Sequence, residues 1–249
     1  MVCVCRTGVA LLLLLSSMCG RALAHQPPTD SFRQYEAFTR RLLEEQRREQ
    51  RRAQQTLRGR ALRGRARAAR RRQLPRIRGQ LLSRIDELHR LWRGSRWGLG
   101  MPQSTRPHRG KTNCGLFVAV VLRDAGFRLP IWKFNRQASR DAIRSVAPRR
   151  AMRYFHRVPI ERFAAGVKAM GPGLFLIGLD FHIGFLRYDE LRGLRFVHAS
   201  YIDKVVVDEP VERAEAIISS RYRVVGKLLQ PMMLDAWLSG RRIHVHGDR

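Results

Sequence analysis

Apolar and polar positions along this chain follow two periods. Phe32, Tyr35, Phe38 and Leu42 recur at steps of three and four and predict an amphipathic helix over 31–44. From Gln46 to Gln73 the large apolar residues thin to Leu57 and Leu62 while arginine dominates, so this stretch reads as either a solvated helix or a disordered arm. Ile77, Leu81, Ile85, Leu88 and Trp92 then form the stripe of a second helix, about 77–92, which is the pattern of a face docked on a core. A loop rich in Gly, Pro and Ser covers 94–110 and contains Trp97. Thr112-Asn113 offers a cap for an apolar helix that begins at Cys114 and stops at Gly126. Residues 131–170 read as mostly helical, broken at Pro148 and Pro159.

After Gly171-Pro172-Gly173 the period shortens. Five short runs follow between turn residues and predict strands at 174–179, 182–188, 194–199, 204–207 and 222–228. Helices followed by consecutive strands predict an α+β domain with an antiparallel sheet. The organisation expected is a leader over 1–24, a basic helical or disordered arm over 25–75, a domain over 76–230 and a C-terminal tail over 231–249.

Charge separates these parts. The chain of 249 residues carries 49 Lys+Arg and 20 Asp+Glu, a balance of +29, and 44% apolar residues. The apolar share rules out a wholly disordered polycation. The excess is densest before Lys111, where Arg-rich sequence without interleaved aromatics fits adhesion to a polyanion or an acidic envelope surface and disfavours base-stacking recognition of single strands. A solvated, extended polycation is the plainer reading of the same residues.

Residues 1–24 read as an export signal: Arg6, an apolar core over 8–15, and Ala22-Leu23-Ala24 before His25. No apolar run is long enough for a spanning helix, so the expectation is an exported protein, periplasmic or secreted, with no transmembrane segment. A lipid anchor on Cys19 is the weaker alternative. Cleavage after Ala24 would remove Cys3, Cys5 and Cys19 and leave Cys114 as the single thiol. A lone thiol in an exported protein is a buried small hydrophobe, an intermolecular bridge or a reactive group.

At the first turn of its helix, Cys114 meets free N–H groups and the positive end of the helix dipole, and both favour thiolate. A thiolate nucleophile needs a base and the base needs an orienting partner. Two histidines fall within predicted strands, His182 in Asp180-Phe181-His182-Ile183-Gly184 and His198 in Phe196-Val197-His198-Ala199-Ser200. The others, at 25, 89, 108, 156, 244 and 246, fall in arms, loops, a polar stretch or the tail. A hairpin turning near Glu190–Leu191 would bring His182 opposite His198 or its neighbour, on one face; a slip of one residue would part them. Cys114, His182 and His198 also make a set that could ligate zinc, though without the close spacing that makes zinc persuasive. Asp180 reads as a turn residue, an Asp-His-Ser set with Ser200 lacks a nucleophile elbow, and His244-Val245-His246 reads as a frayed tail.

Thr112-Asn113-Cys114-Gly115-Leu116-Phe117, followed by Leu122-Arg123-Asp124-Ala125-Gly126-Phe127, resembles the nucleophile helix of the NlpC-type cysteine peptidases, bacterial cell-wall hydrolases of papain-like fold. His182-Ile183-Gly184-Phe185 and Phe196-Val197-His198-Ala199 resemble their paired strands. The resemblance covers about 95–228 and implies a papain-like domain with Cys114 as nucleophile, His182 as base and His198 as orienter. It further implies an amide or peptide substrate, plausibly in cell-wall peptide, and no cofactor. The chain departs from the family in having Asn113 and Gly115 around the cysteine, where Asp and Ser are usual, and in a 68-residue interval from Cys114 to His182. A non-enzymatic basic binding protein on a hydrolase-like scaffold is the competing reading.

Overall fold

The computed structural model describes residues 29–57 and 63–245. The leader expected over 1–24, with Cys3, Cys5 and Cys19, and also His25 and His246 lie outside these residues.

Two long helices come first, α1 (Thr29–Leu57) and α2 (Arg63–Trp92). The loop and the cysteine helix α3 (Cys114–Asp124) follow, then α4 (Ile131–Asn135), α5 (Ser139–Val146), β1 (Met152–His156) and α6 (Ile160–Lys168). The strand-rich part comprises β2 (Gly173–Gly178), β3 (Ile183–Asp189), β4 (Gly193–Ala199) and β5 (Val206–Pro210). After α7 (Glu215–Ile218) come β6 (Tyr222–Lys227) and α8 (Pro231–Ser239). Six strands form one antiparallel sheet in the order β1-β6-β2-β3-β4-β5, so the domain is α+β. No helix among the described residues is long and apolar enough to cross a membrane.

Strand alternation divides the core. Leu174, Leu176, Ile183, Phe185, Val197 and Ala199 face one cluster with α2, α3, α5 and α8. Phe175, Ile177, Leu186 and Phe196 face a second with α6 and α7. A sheet covered on both faces is read in sequence as nearly continuous apolar runs, which is how β2 and β4 look. Phe117 and Trp92, both fully buried, meet edge-on at 5.7 Å and tie α2 to α3. The α2 stripe Ile77, Leu81, Ile85 and Leu88 is wholly buried, as its spacing predicts.

Four elements differ from expectation. The basic arm is helical where described, and α1 docks on the domain core. Tyr35 and Leu42 are buried, Tyr35 donates to Asp124, and Gln46 Nε2 donates to the Gly126 carbonyl at 2.6 Å. Gly126 permits this approach: its φ is +105°, and a Cβ there would meet Gln46 Oε1 at 2.5 Å and Trp237 Nε1 at 2.6 Å. Residues 231–239 are not tail but α8, with Leu234 and Trp237 in the core and Trp237 Nε1 donating to the Ala125 carbonyl at 2.9 Å. Residues 152–156 form the edge strand β1 inside a stretch that reads as helical, because pairing with β6 overrides local propensity. His89 is not in an arm: it is buried under β3, its ring 4.7 Å from that of Phe185.

Candidate active site

α3 starts where its sequence says it should. Asn113 takes an extended cap conformation, its side-chain oxygen accepts from the Leu116 amide at 2.8 Å, and its Nδ2 donates to Gln103 Oε1 at 2.9 Å. Cys114 is therefore the first helical residue, half-buried at the rim of the core. Gly115 leaves the room that Asn135 of α4 fills: a Cβ at 115 would lie 2.6 Å from Asn135 Oδ1. A side-chain amide thus packs against the first turn of α3.

The two histidines meet. His182 Nε2 lies 2.7 Å from His198 Nδ1, and His198 Nε2 lies 2.9 Å from Glu209 Oε1 on β5. Both rings are buried. The register behind this differs from the expected one. Asp189 pairs with Gly193 and accepts from the Leu191 and Arg192 amides, so the β3–β4 loop is Glu190–Arg192, one residue longer than expected. Phe185 pairs with Val197, and His182 precedes β3 instead of standing opposite His198. The offset is an even number of positions, so both rings still reach the same face, and the bond between them is diagonal. His198 stacks on Phe196 at 3.9 Å, and the Tyr201 ring stands edge-on to His182 at 5.3 Å.

Glu209 is the member that sequence reading missed. It sits in β5 beside Phe196 in the register, two residues from the partner of His198. An acidic residue inside an edge strand that runs beside a histidine strand is the signal that was available.

Cys114 and His182 line one cleft of about 330 Å³, together with Asn135. They approach it differently. α3 packs on the face of Ile183 and Phe185, whereas the imidazole pair lies on the face of Phe196. Both reach the cleft at the open end of β3, beside Ile183. Burial pushes the Cys114 thiol above its ordinary value, and the amides of Ile183, Gly115 and Cys114 offset only part of that rise. This reverses the expectation that the helix start makes the thiol acidic. Burial also holds His182 far below the ordinary imidazole value of 6.5, at about 3, and neighbouring His198 adds to the effect. At neutral pH the pair is therefore thiol and neutral imidazole.

The remaining candidates have structural roles. Asp180 staples the β2–β3 turn to the start of β6, accepting from the Arg221 amide at 2.8 Å and the Tyr222 amide at 3.2 Å. Ser200 donates to Asp203 Oδ2 at 2.7 Å and closes a turn. Trp97 packs under Lys204, 4.7 Å from ring centre to Nζ, and does not line the cleft. His182 and His198 bond each other, not a common point, and no group of three or more His, Cys, Asp or Glu among the described residues is arranged to hold a metal.

A second concavity, of about 740 Å³, lies between α1, the C-terminal end of α3 and the end of α8. It is lined by Arg47, Arg123, Arg128 and Arg242 and by no acidic residue among those described.

Compared with protein-family models, with curated proteins and with solved structures, the chain matches none of them.

Proposed function

We propose that this chain is a cysteine hydrolase of papain-like arrangement that cleaves an amide or ester bond by acyl transfer. The observation that carries the reading is the hydrogen-bonded chain His182–His198–Glu209, its two rings buried and its carboxylate partly exposed, which ends in a cleft shared with the helix-start thiol of Cys114. The proton order follows from donor chemistry. An ionised Glu209 can only accept, so His198 carries its proton on Nε2. With that proton on Nε2, Nδ1 of His198 is the acceptor and His182 donates from Nε2. That leaves the Nδ1 lone pair of His182 as the base.

In this mechanism Cys114 Sγ attacks the carbonyl carbon while His182 takes the thiol proton and passes it to the leaving group. Because thiol and imidazole both start neutral, proton transfer accompanies attack and no standing ion pair is needed. The Cys114 amide at the helix start is one donor to the developing oxyanion, and Asn135 supplies a side-chain amide beside it. Water then releases the acyl group, with His182 as base. By resemblance the substrate is a peptide or amide of the bacterial cell wall and the protein is exported to meet it, its basic N-terminal segment holding it to an acidic surface.

An electrophilic thiol probe tests this. Folded protein should be labelled at Cys114, and His182→Ala should slow labelling at least tenfold; labelling indifferent to His182 would remove the base. A second reading, a non-catalytic polyanion-binding protein, is favoured by the arginine-lined concavity at the far end of α3. Tight, steeply salt-dependent binding of an anionic polymer by a Cys114→Ala variant, with no turnover in the parent protein, would select it.

A further inference from the structure

The cleft at Cys114 differs in chemistry from the rest of this protein. The chain carries 49 Lys+Arg, yet none among the described residues lines this cleft. Its one acid, Asp180, has its carboxylate occupied by the backbone amides of Arg221 and Tyr222. No lysine or arginine among the described residues is there to form an ion pair with a carboxylate or a phosphate on a ligand.

The rim is apolar without a structural reason. Leu179 and His182 close the β2–β3 hairpin with a 2.8 Å backbone bond, so Asp180 and Phe181 form a two-residue tip. Phe181 is 97% exposed at that tip, next in sequence to the base. The Asp180 staple holds the tip in place, so this phenyl ring is presented on a fixed turn. From the 94–111 loop, Leu99 reaches the same cleft and is 73% exposed. Phe134 and Ala142 continue the apolar wall inward, and both are buried. Single exposed apolar residues are ordinary on a protein surface. Two large ones at the mouth of the cleft that holds the thiol, with Phe134, Ala142 and Leu179 in its walls among the uncharged polar side chains of Asn113, Asn135, Gln137 and Ser139, make a binding feature.

We infer that the acyl group transferred to Cys114 is uncharged and apolar, with a chain or side chain long enough to lie between Phe181 and Leu99. This rests on the hydrolase reading and names its substrate class. In the step, the carbonyl carbon forms a bond to Sγ as its bond to the leaving oxygen or nitrogen breaks, and the thiol proton leaves with that group. Hydrolysis then exchanges the carbon–sulfur bond for a bond to water oxygen and returns the thiol.

The test is the rate of Cys114 acylation by p-nitrophenyl acetate, butyrate, hexanoate and octanoate, with p-nitrophenyl hemisuccinate as the charged arm. The rate constant per unit ester should rise at least about tenfold from acetate to octanoate, since each buried methylene contributes about three- to fourfold. The hemisuccinate should react more slowly than the butyrate. Phe181→Ser and Leu99→Ser, at exposed positions that leave the core intact, should each flatten the rise. A rate independent of chain length, a rise unchanged in both variants, or a preference for the hemisuccinate overturns the inference while the hydrolase reading stands. Absence of any acyl adduct on Cys114 by intact mass overturns the hydrolase reading and this inference with it.

Discussion

Gly184 faces His198 one step past the last paired residues of β3 and β4, and the absence of a side chain there is what lets the imidazole lie flat. A Cβ at 184 would stand 2.8 Å from the His198 Cβ and 2.5 Å from Phe196 Cε2. Gly184→Ala must therefore push apart the stacked Phe196 and His198 rings. Overpacking of this kind costs about 1–3 kcal/mol, to be read as a lowered denaturation midpoint. The same variant should slow Cys114 labelling, because the partner of His182 is displaced. Unchanged stability would mean that the two strands part easily at this point.

Glu209 fixes the tautomer of both rings. Glu209→Gln keeps an acceptor of similar shape but adds an amide donor and removes the charge. Turnover of an activated ester should fall about tenfold to a hundredfold with a smaller change in KM, the size expected of a partner that orients a histidine. A change confined to KM would place Glu209 in substrate binding instead.

The pH dependence follows from the two shifts at the site. The Cys114 thiol is raised, so the thiolate fraction should still be climbing where an ordinary cysteine has levelled off. Labelling by a haloacetamide should rise continuously from pH 7 upward and show no plateau near pH 6. His182, held at about 3, stays neutral across the neutral and mildly acidic range, so no loss of activity from its protonation is expected between pH 5 and 8. A plateau on the acidic side would mean that a thiolate–imidazolium pair forms despite burial.

His89 bears on stability. It is fully buried, Nε2 has no hydrogen-bond partner, and burial holds it at about 3 against 6.5 in the unfolded chain. A folded value below the unfolded one means that the unfolded state takes up the proton first. Above pH 6.5 the group is neutral in both states and contributes no pH dependence. As pH falls from 6.5 toward 3, stability is progressively lost, and below 3 the loss levels off. Denaturant midpoints should therefore fall through this window, and His89→Phe, whose ring would join Phe117 and Phe185, should soften that fall. An equally steep fall in the variant would assign acid sensitivity to other groups.

Much of this molecule is legible in its sequence because the informative residues act locally. Asn113 caps α3 through its own side chain, Gly126 ends it, and the short runs between turn residues fall on β2, β3, β4 and β6 within a residue or two. The α2 stripe at Ile77, Leu81 and Ile85 is buried as its spacing implies. What escaped depends on distant partners. Met152–His156 becomes a strand only because β6 offers an edge, and α8 is core only because Trp237 reaches back to Ala125. At the site, the histidine pairing followed from strand order, although a register two positions away from the direct pair made the contact diagonal. Glu209 and Asn135 were invisible because each is brought in by an element far along the chain. The thiol was misjudged for a related reason: the helix start is visible locally, whereas the burial that outweighs it is a property of the assembled core.

The imidazole chain ends on the outermost strand. The beginning of β5 is tied down, because the Val206 amide bonds the Ser95 carbonyl and the Gly94 amide bonds the Val206 carbonyl. Glu209, at its other end, is held in the sheet from one side, by β4. Fraying begins where backbone bonds are fewest. The carboxylate, partly exposed and paired on one side only, is thus the member of the chain that warming should release first, with the buried Val211 just beyond it as the anchor: orientation would go before structure, and hydrogen exchange at Asp208–Glu209 would report it ahead of global unfolding.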